Sequence, residues 1–230
     1  MKILLLLFLL IAIITPHGTN ALNIVVAGGT GRLGRVLISS LLSPLPSGKV
    51  ENYVTVLSRN CFLASAPNRV SADFGFLGQK FVDKYANNMA MRDWDGGDLL
   101  DIVGKDWVGW EEVLEKADVV VNLCGGFTIQ REQAQQRLSD AIRSTETRNN
   151  HVIKQIIIAP TDEVIPTLSP VAISAKVKRL AQCEDIANAG KDVSCLRVGL
   201  VVPDAQAQAS GGKWCTGSDF AQLCIEKINA

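Results

Sequence analysis

The residues with the clearest chemical promise form the run Gly28-Gly-Thr-Gly-Arg-Leu-Gly34, which directly follows the apolar segment Asn23–Ala27. The run satisfies two glycine spacings at once, Gly29-x-Gly31-x-x-Gly34 and Gly28-x-x-Gly31-x-x-Gly34. Glycines at those intervals between a strand and a helix let the chain turn tightly, bring backbone against a pyrophosphate and pack helix close to strand. The helix then starts with its N–H groups facing the anion. A second candidate lies at Ser58-Arg59, after the apolar segment Tyr53–Leu57. An Asp or Glu at that place bonds a ribose 2′-hydroxyl and repels a 2′-phosphate. No acid stands there, and Arg59 offers a planar cationic fork suited to phosphate. Arg32, inside the glycine run, adds a second cation. The expected cofactor is therefore NADP, ahead of NAD. Its expected contacts are Gly28, Thr30, Gly31, Arg32, Leu33, Gly34, Ser58 and Arg59; the alternative is that the glycines only make a turn and the arginines are only solvated.

Such a site needs a layered scaffold. Apolar runs rich in Val and Ile alternate with helical patterns, which is the signature of parallel βαβ units. Strands are expected at Asn23–Ala27, Tyr53–Leu57, Asp118–Leu123, Ile153–Ala159 and Val193–Val202, with a weaker one at Met89–Asp93. Helices are expected at Leu33–Leu42, Trp107–Lys116, Gln130–Thr147 and Val171–Ala189, with shorter ones near Gly78–Tyr85 and Asp219–Ile228. Six such strands predict an α/β, three-layer, doubly wound Rossmann sheet of order 3-2-1-4-5-6. The stretch from Ser58 to Asn88 carries no clean period.

Bulk composition narrows the partners. The chain of 230 residues is 47% hydrophobic and 20% charged, enough for one large core. Lys plus Arg and Asp plus Glu each total 23, so no global field draws it to nucleic acid or to an anionic membrane. A small-molecule substrate is the natural partner, and neither its identity nor the oligomeric state is written in the sequence. Six cysteines without a Cys-x-x-Cys pair, and only two histidines, argue against a zinc site. Cys124 and Cys195 sit in apolar strands and read as small buried hydrophobes. Cys215 and Cys224 are spaced so that they could pair in an oxidising lumen.

Lys2 precedes twelve apolar residues, Ile3 to Ile14, and a more polar stretch ends at Thr19-Asn-Ala21. That layout predicts a secretory signal peptide over residues 1–21, and the run falls short of the roughly twenty residues needed to span a bilayer. The secretory pathway or endoplasmic reticulum follows as the expected location, with an uncleaved membrane anchor as the alternative. The remainder divides into a nucleotide-binding domain over 22–203 and a short tail over 204–230.

Together these pieces resemble the extended and atypical short-chain dehydrogenase/reductase superfamily, and within it the NAD(P)-binding epimerase/dehydratase-like family. The likeness rests on GGTGRLG, Ser58-Arg59, Trp94-Asp95, Asp118-Val-Val-Val-Asn-Leu-Cys-Gly125 and Cys195-Leu-Arg-Val-Gly-Leu-Val-Val202, and runs from about residue 23 to about 203. The resemblance implies that Asp95 and the segment Leu123, Cys124 and Gly125 line the adenine and ribose side. It places Arg197 on a strand near the nicotinamide end.

The catalytic part departs from the family's pattern. Active members use Tyr-x-x-x-Lys on the helix after the fifth strand, the phenol acting as acid and base and the lysine lowering its pKa. Here Lys176 and Lys178 offer two registers, and the residue four earlier is Ala172 or Ser174. Thr161 carries the only hydroxyl in Ala159-Pro160-Thr161, where the family places a Ser or Thr. The candidate catalytic set is Lys176, Lys178, Ser174 and Thr161, although an aliphatic hydroxyl is a poor replacement for a phenol as a general acid. The relatives also carry a C-terminal substrate region, for which only Asp204 to Ala230 remains. Two readings stay open: a reductase or epimerase-like enzyme on an unknown small molecule, and a nucleotide-binding protein without catalysis that regulates or scaffolds.

Overall fold

A computed structural model describes residues 21–44, 51–68, 76–96, 109–124, 129–160, 170–198, 201 and 215–230. The expected signal segment up to residue 20, Gly125, Thr161, Trp107 and Trp214 lie outside the described residues. No helix among the described residues is long and apolar enough to cross a membrane.

Six strands form one parallel sheet: β1 (Asn23–Ala27), β2 (Tyr53–Ser58), β3 (Met89–Asp93), β4 (Val119–Asn122), β5 (Lys154–Ile158) and β6 (Val193–Leu196). Their order is β3-β2-β1-β4-β5-β6, as the alternation of elements predicts. The helices are α1 (Arg32–Leu41), α2 (Cys61–Ser65), α3 (Gln79–Lys84), α4 (Ile129–Asn149), α5 (Pro170–Ala187) and α6 (Gly217–Asn229), with a 3-10 helix over Trp110–Lys116 before β4.

Both faces of the sheet are covered, which is why its strands are nearly continuous Val and Ile. Ile24 and Val26 of β1 point to the layer that holds Leu37, Ile38 and Leu41 of α1. Val25 and Ala27, one residue out of phase, meet Trp110, Leu114, Leu138 and Ile142 on the other face. The period of two along a single strand thus feeds two separate cores.

Three expectations shift. The helix expected over Trp107–Lys116 is described from Trp110 and is a 3-10 helix, opened by Gly109 in the left-handed region at φ 92°. The sixth strand ends at Leu196 rather than Val202, because its neighbour β5 supplies ladder partners only from Gln155 to Ile158. The C-terminal stretch expected as a tail contributes α6, whose Phe220, Ala221, Cys224 and Ile228 belong to the same core as β1 and α1. Thr216 caps α6 by accepting from the Asp219 N–H, and the Asp219 carboxylate accepts in return from the Thr216 N–H. That reciprocal box satisfies two helix-end donors.

Candidate functional site

The glycine run forms the β1–α1 turn, and its spacing is explained by what surrounds it. Gly28 has φ +74°, and a Cβ there would lie 2.7 Å from the Leu123 carbonyl carbon and from the Cys124 nitrogen. The turn therefore lies directly against the end of β4, at the point where the strand order reverses. At Gly34 a Cβ would come within 2.4 Å of the Gly29 Cα. Only hydrogen fits, so the first turn of α1 can close onto the loop. The Gly31 N–H donates to the Gly28 carbonyl at 3.1 Å, and Gly31 caps α1 without any side-chain hydrogen bond. No acidic residue stands in the first turn. The leading N–H groups of α1 thus keep their capacity for an anion, and the helix dipole favours one. Leu33 is half-buried against the core, Thr30 is buried, and its carbonyl accepts from the Phe76 N–H at 2.9 Å. Segment 76–85 is thereby drawn over the loop's flank.

The end of β2 is held rigidly. Ser58 is buried and its hydroxyl accepts from the Asn60 N–H at 3.3 Å, which shapes the turn. Asn60 caps α2 through Leu63, and the Cys61 N–H donates to the Asp93 carboxylate at 2.7 Å. Between these anchors Arg59 lays its stem against Gly96, where a Cβ would lie 3.2 Å from the Arg59 Cγ and Cδ. Of the arginines near the loop, Arg35 stacks on the Phe81 ring at 4.9 Å. Arg32 is exposed at the start of α1.

Asp95, expected on the adenine side, is buried at the end of β3 and is engaged. The Arg137 Nε of α4 donates to its carboxylate at 3.1 Å, and the other arm of the same guanidinium pairs with Glu111. Arg137 also lies 5.3 Å above the Trp110 ring, which meets Trp94 edge-on at 5.4 Å. Burial works against the charge on Arg137, and the two carboxylates outweigh it, raising its pKa. Removing Arg137 takes a charge-assisted hydrogen bond from the buried Asp95 carboxylate. Arg137→Ala is expected to cost about 1–3 kcal/mol of stability, read as a lower urea midpoint, while Glu111→Gln costs much less.

The candidate catalytic residues separate. Lys176 is half-buried on α5 and faces α4; Ser174 and Lys178 are exposed. Burial first, and the nearby Arg131 second, lower the Lys176 pKa. Neither tyrosine of the chain is near: Tyr53 starts β2 at the opposite edge of the sheet, and Tyr85 packs on Phe81 at 5.0 Å. Arg197 donates to the Pro160 carbonyl at 3.0 Å and pairs with Glu184 on α5. Cys124, just past the end of β4, and Cys195, on the edge strand β6, are half-buried rather than buried. Burial pushes the Cys124 thiol up to about 12 in spite of Arg131 and Arg59, so it is no nucleophile at neutral pH. Cys224, buried in α6, is likewise pushed up to about 12 by burial and by Cys215. Among the described residues no group of three or more His, Cys, Asp or Glu could hold a metal.

Three features escape a reading of the sequence. Arg137 reaches Asp95 across 42 residues of chain and Glu111 across 26, and only the tertiary fold brings the three together. Asn122 donates to Gln135 at 2.8 Å while its own oxygen accepts from the Cys124 N–H at 3.0 Å, which fixes the backbone that approaches Gly28. Arg131, polar and near the start of a helix, gives no local sign of being buried beside Lys176.

No family model matches the chain, and no curated protein matches it. Solved structures do. A UDP-N-acetylglucosamine 4-epimerase from Methanobrevibacter ruminantium, in complex with UDP-N-acetylmuramic acid, aligns at TM-score 0.56 and 16% identity, over 92% of this chain and 74% of that one. What the two chains share is the fold, a doubly wound parallel sheet with helices on both faces. An actinorhodin polyketide ketoreductase with NADPH shares it at TM-score 0.55 and 14% identity, over 90% of both chains. The Bordetella bronchiseptica enzyme WbmG, in complex with NAD, shares it at TM-score 0.52 and 13% identity, over 94% of this chain and 71% of that one. Within this fold the turn after β1 and the ends of β2 to β4 share one edge of the sheet, where ligands of doubly wound sheets bind.

Proposed function

We propose that the protein binds a nicotinamide dinucleotide, NADP(H) in preference to NAD(H), along Gly28–Gly34, as an atypical short-chain dehydrogenase/reductase of the epimerase/dehydratase-like kind acting on a small molecule. The observation that carries this reading is the cradle of Gly28 and Gly34, positions where a Cβ would strike backbone, beneath a helix start that no side chain caps. A pyrophosphate needs that close approach and those donors. The two solved structures with NAD and NADPH lend support through the shared fold. When bound, the cofactor supplies two-electron hydride chemistry. The chain's part is to bind it through the loop N–H groups, to meet the adenosine end with Arg59 and the Asp95 region, and to place Lys176 at the same edge of the sheet.

The preference for NADP(H) rests on Arg59, held at the end of β2 with no acid on that strand's last turn. Arg59→Ala is expected to weaken NADPH binding about tenfold or more, the scale of one charge-assisted contact, and to leave NADH nearly unchanged. Equal losses for the two cofactors would remove the basis for the preference.

A second reading, nucleotide binding without turnover, is favoured by one observation: position 172 is alanine, and both tyrosines lie elsewhere. Single-turnover oxidation of NADPH against panels of carbonyl compounds and sugar nucleotides separates the two. Turnover that disappears in Lys176→Ala supports an enzyme; binding with no turnover supports the silent form.

A further inference from the structure

Where α4 packs on the sheet, a chain of buried polar side chains occupies a layer that apolar ones fill elsewhere. Ala134, Leu138, Ala141 and Ile142 of α4 are ordinary core residues. Gln135 and Ser139, one turn apart on the same helix, meet Asn122 of β4 and Gln155 of β5, and each of the four is 5% exposed or less. Burying such groups costs free energy unless they are bonded. Here they are bonded to one another. The Asn122 Nδ2 donates to the Gln135 Oε1 at 2.8 Å, and the Gln135 Nε2 donates to the Ser139 Oγ at 2.9 Å. The Gln155 Nε2 donates to the same hydroxyl at 3.2 Å. A completed network of this kind holds one geometry.

The network has a direction, and the backbone sets it. The Cys124 N–H can only donate, so the Asn122 atom that accepts from it at 3.0 Å is Oδ1. Nδ2 therefore points to α4, Gln135 presents its oxygen, and its nitrogen is left for Ser139. What this arrangement holds is the first peptide beyond the β4 ladder. The Leu123 N–H still bonds the Ala27 carbonyl at 2.8 Å, and at Cys124 the Asn122 side chain takes over. The same peptide is the wall of the glycine turn, because a Cβ at Gly28 would lie 2.7 Å from the Cys124 nitrogen. Gln135 thus reaches the turn through two hydrogen bonds in series.

We propose that Gln135 is a positioning residue for the nucleotide: it orients the Asn122 amide, which holds the peptide at Cys124 against which Gly28 and its loop rest. The inference rests on the proposed binding of a dinucleotide along Gly28–Gly34, and adds a residue that the glycine spacing does not contain. The loop N–H groups meet the pyrophosphate, which NADP(H) and NAD(H) share, so Gln135 governs the affinity of both, in contrast to Arg59. A glutamine that merely filled the layer could be replaced without loss by methionine, apolar and of similar length. One that orients Asn122 could not, since methionine takes the acceptor away from a buried N–H.

The test follows the Cys124 amide by hydrogen exchange in NMR spectra of the full chain without nucleotide, then titrates NADPH and NADH into the same proteins. Gln135→Met is expected to speed exchange at Cys124 about tenfold and to weaken both cofactors about tenfold, the equilibrium worth of one hydrogen bond. The ratio of the two affinities stays the same. Leu138→Ala empties a core position of the same helix. It is expected to lower stability and to move neither reading, so it measures what looser packing alone does. Asn122→Ala should reproduce the loss of affinity, and adding Gln135→Met to it should cost nothing further, because the two residues act in series. Three results overturn the proposal: unchanged exchange at Cys124 in Gln135→Met, effects equal to those of Leu138→Ala, or a double variant weaker by about a hundredfold, the additive result. If Asn122→Ala does not fold, the comparison of Gln135→Met with Leu138→Ala still decides. A chain that binds no nucleotide, yet whose Cys124 amide is freed by Gln135→Met, marks a failure of the dinucleotide reading and not of the link from Gln135 to the turn.

Discussion

Gly34→Ala is expected to lower stability by about 3 kcal/mol and to abolish measurable NADPH binding. The added methyl group would lie 2.4 Å from the Gly29 Cα, 2.5 Å from its oxygen and 2.6 Å from its carbonyl carbon, all of them backbone atoms. A flexible side chain can swing aside from such a contact. A loop that is itself wedged against the end of β4 cannot. Relief therefore requires α1 to move away from the turn, which opens the core beneath Leu37 and Ile38 and disperses the N–H groups that face the anion. Gly31→Ala is the matched control: its Cβ would meet only the Gly28 oxygen at 3.3 Å, and its φ of −73° suits any residue. Thermal unfolding of the two variants should differ sharply. Equal, mild effects would show that the helix does not need its close seat on the loop.

Phe220→Ala is expected to cost about 3–5 kcal/mol, the usual range for emptying an aromatic site in a core. In a chain of this size that is on the order of 10 °C in Tm. Phe220 is wholly buried and belongs to the cluster that includes Ile24, Val26, Leu37 and Val121. The change removes the ring from beneath α1, so nucleotide affinity should fall with it while Leu223→Ala, at a more exposed position of the same helix, stays near neutral. A Tm for Phe220→Ala within about 2 °C of the unaltered protein, a shift well below 1 kcal/mol, would make α6 an appendage.

That helix illustrates which parts of the molecule the sequence announces. The strands β1, β2 and β4 were legible because residues buried on both faces must be apolar without interruption, and the glycine run was legible because its spacing has few other uses. Strand β6 ends at Leu196, short of the expected Val202, since a run of Val and Leu says nothing about where its neighbour's ladder stops. The tail helix was visible as a pattern, yet its importance was not: Phe220, Ala221, Cys224 and Ile228 form a modest stripe, and only the fold reveals that it closes the core over α1 and β5.

The site divides in the same way. The roles proposed for Gly28, Gly31 and Gly34 rest on their spacing, and that proposed for Arg59 rests on the absence of an acid. Ser58, an expected cofactor contact, is buried and holds the Asn60 N–H, a contact that its sequence position does not announce. Lys176 and Lys178 were equivalent in sequence, because two residues of separation leave the register of a helix open by about 200°. Packing against α4 distinguishes them. The partner of Asp95 comes from α4, more than thirty residues away along the chain. Such pairings are properties of the assembled layers, and no local pattern encodes them.

The central claim is that the loop Gly28–Gly34 and Arg59 hold NADP(H). Titration of the purified chain with NADPH and with NADH, followed by energy transfer from its tryptophans to the reduced nicotinamide, tests it most directly. The account predicts saturable binding of both, with NADPH tighter by about tenfold or more, the worth of the Arg59 contact. Failure of either cofactor to bind at millimolar concentration, with the protein folded, would contradict it.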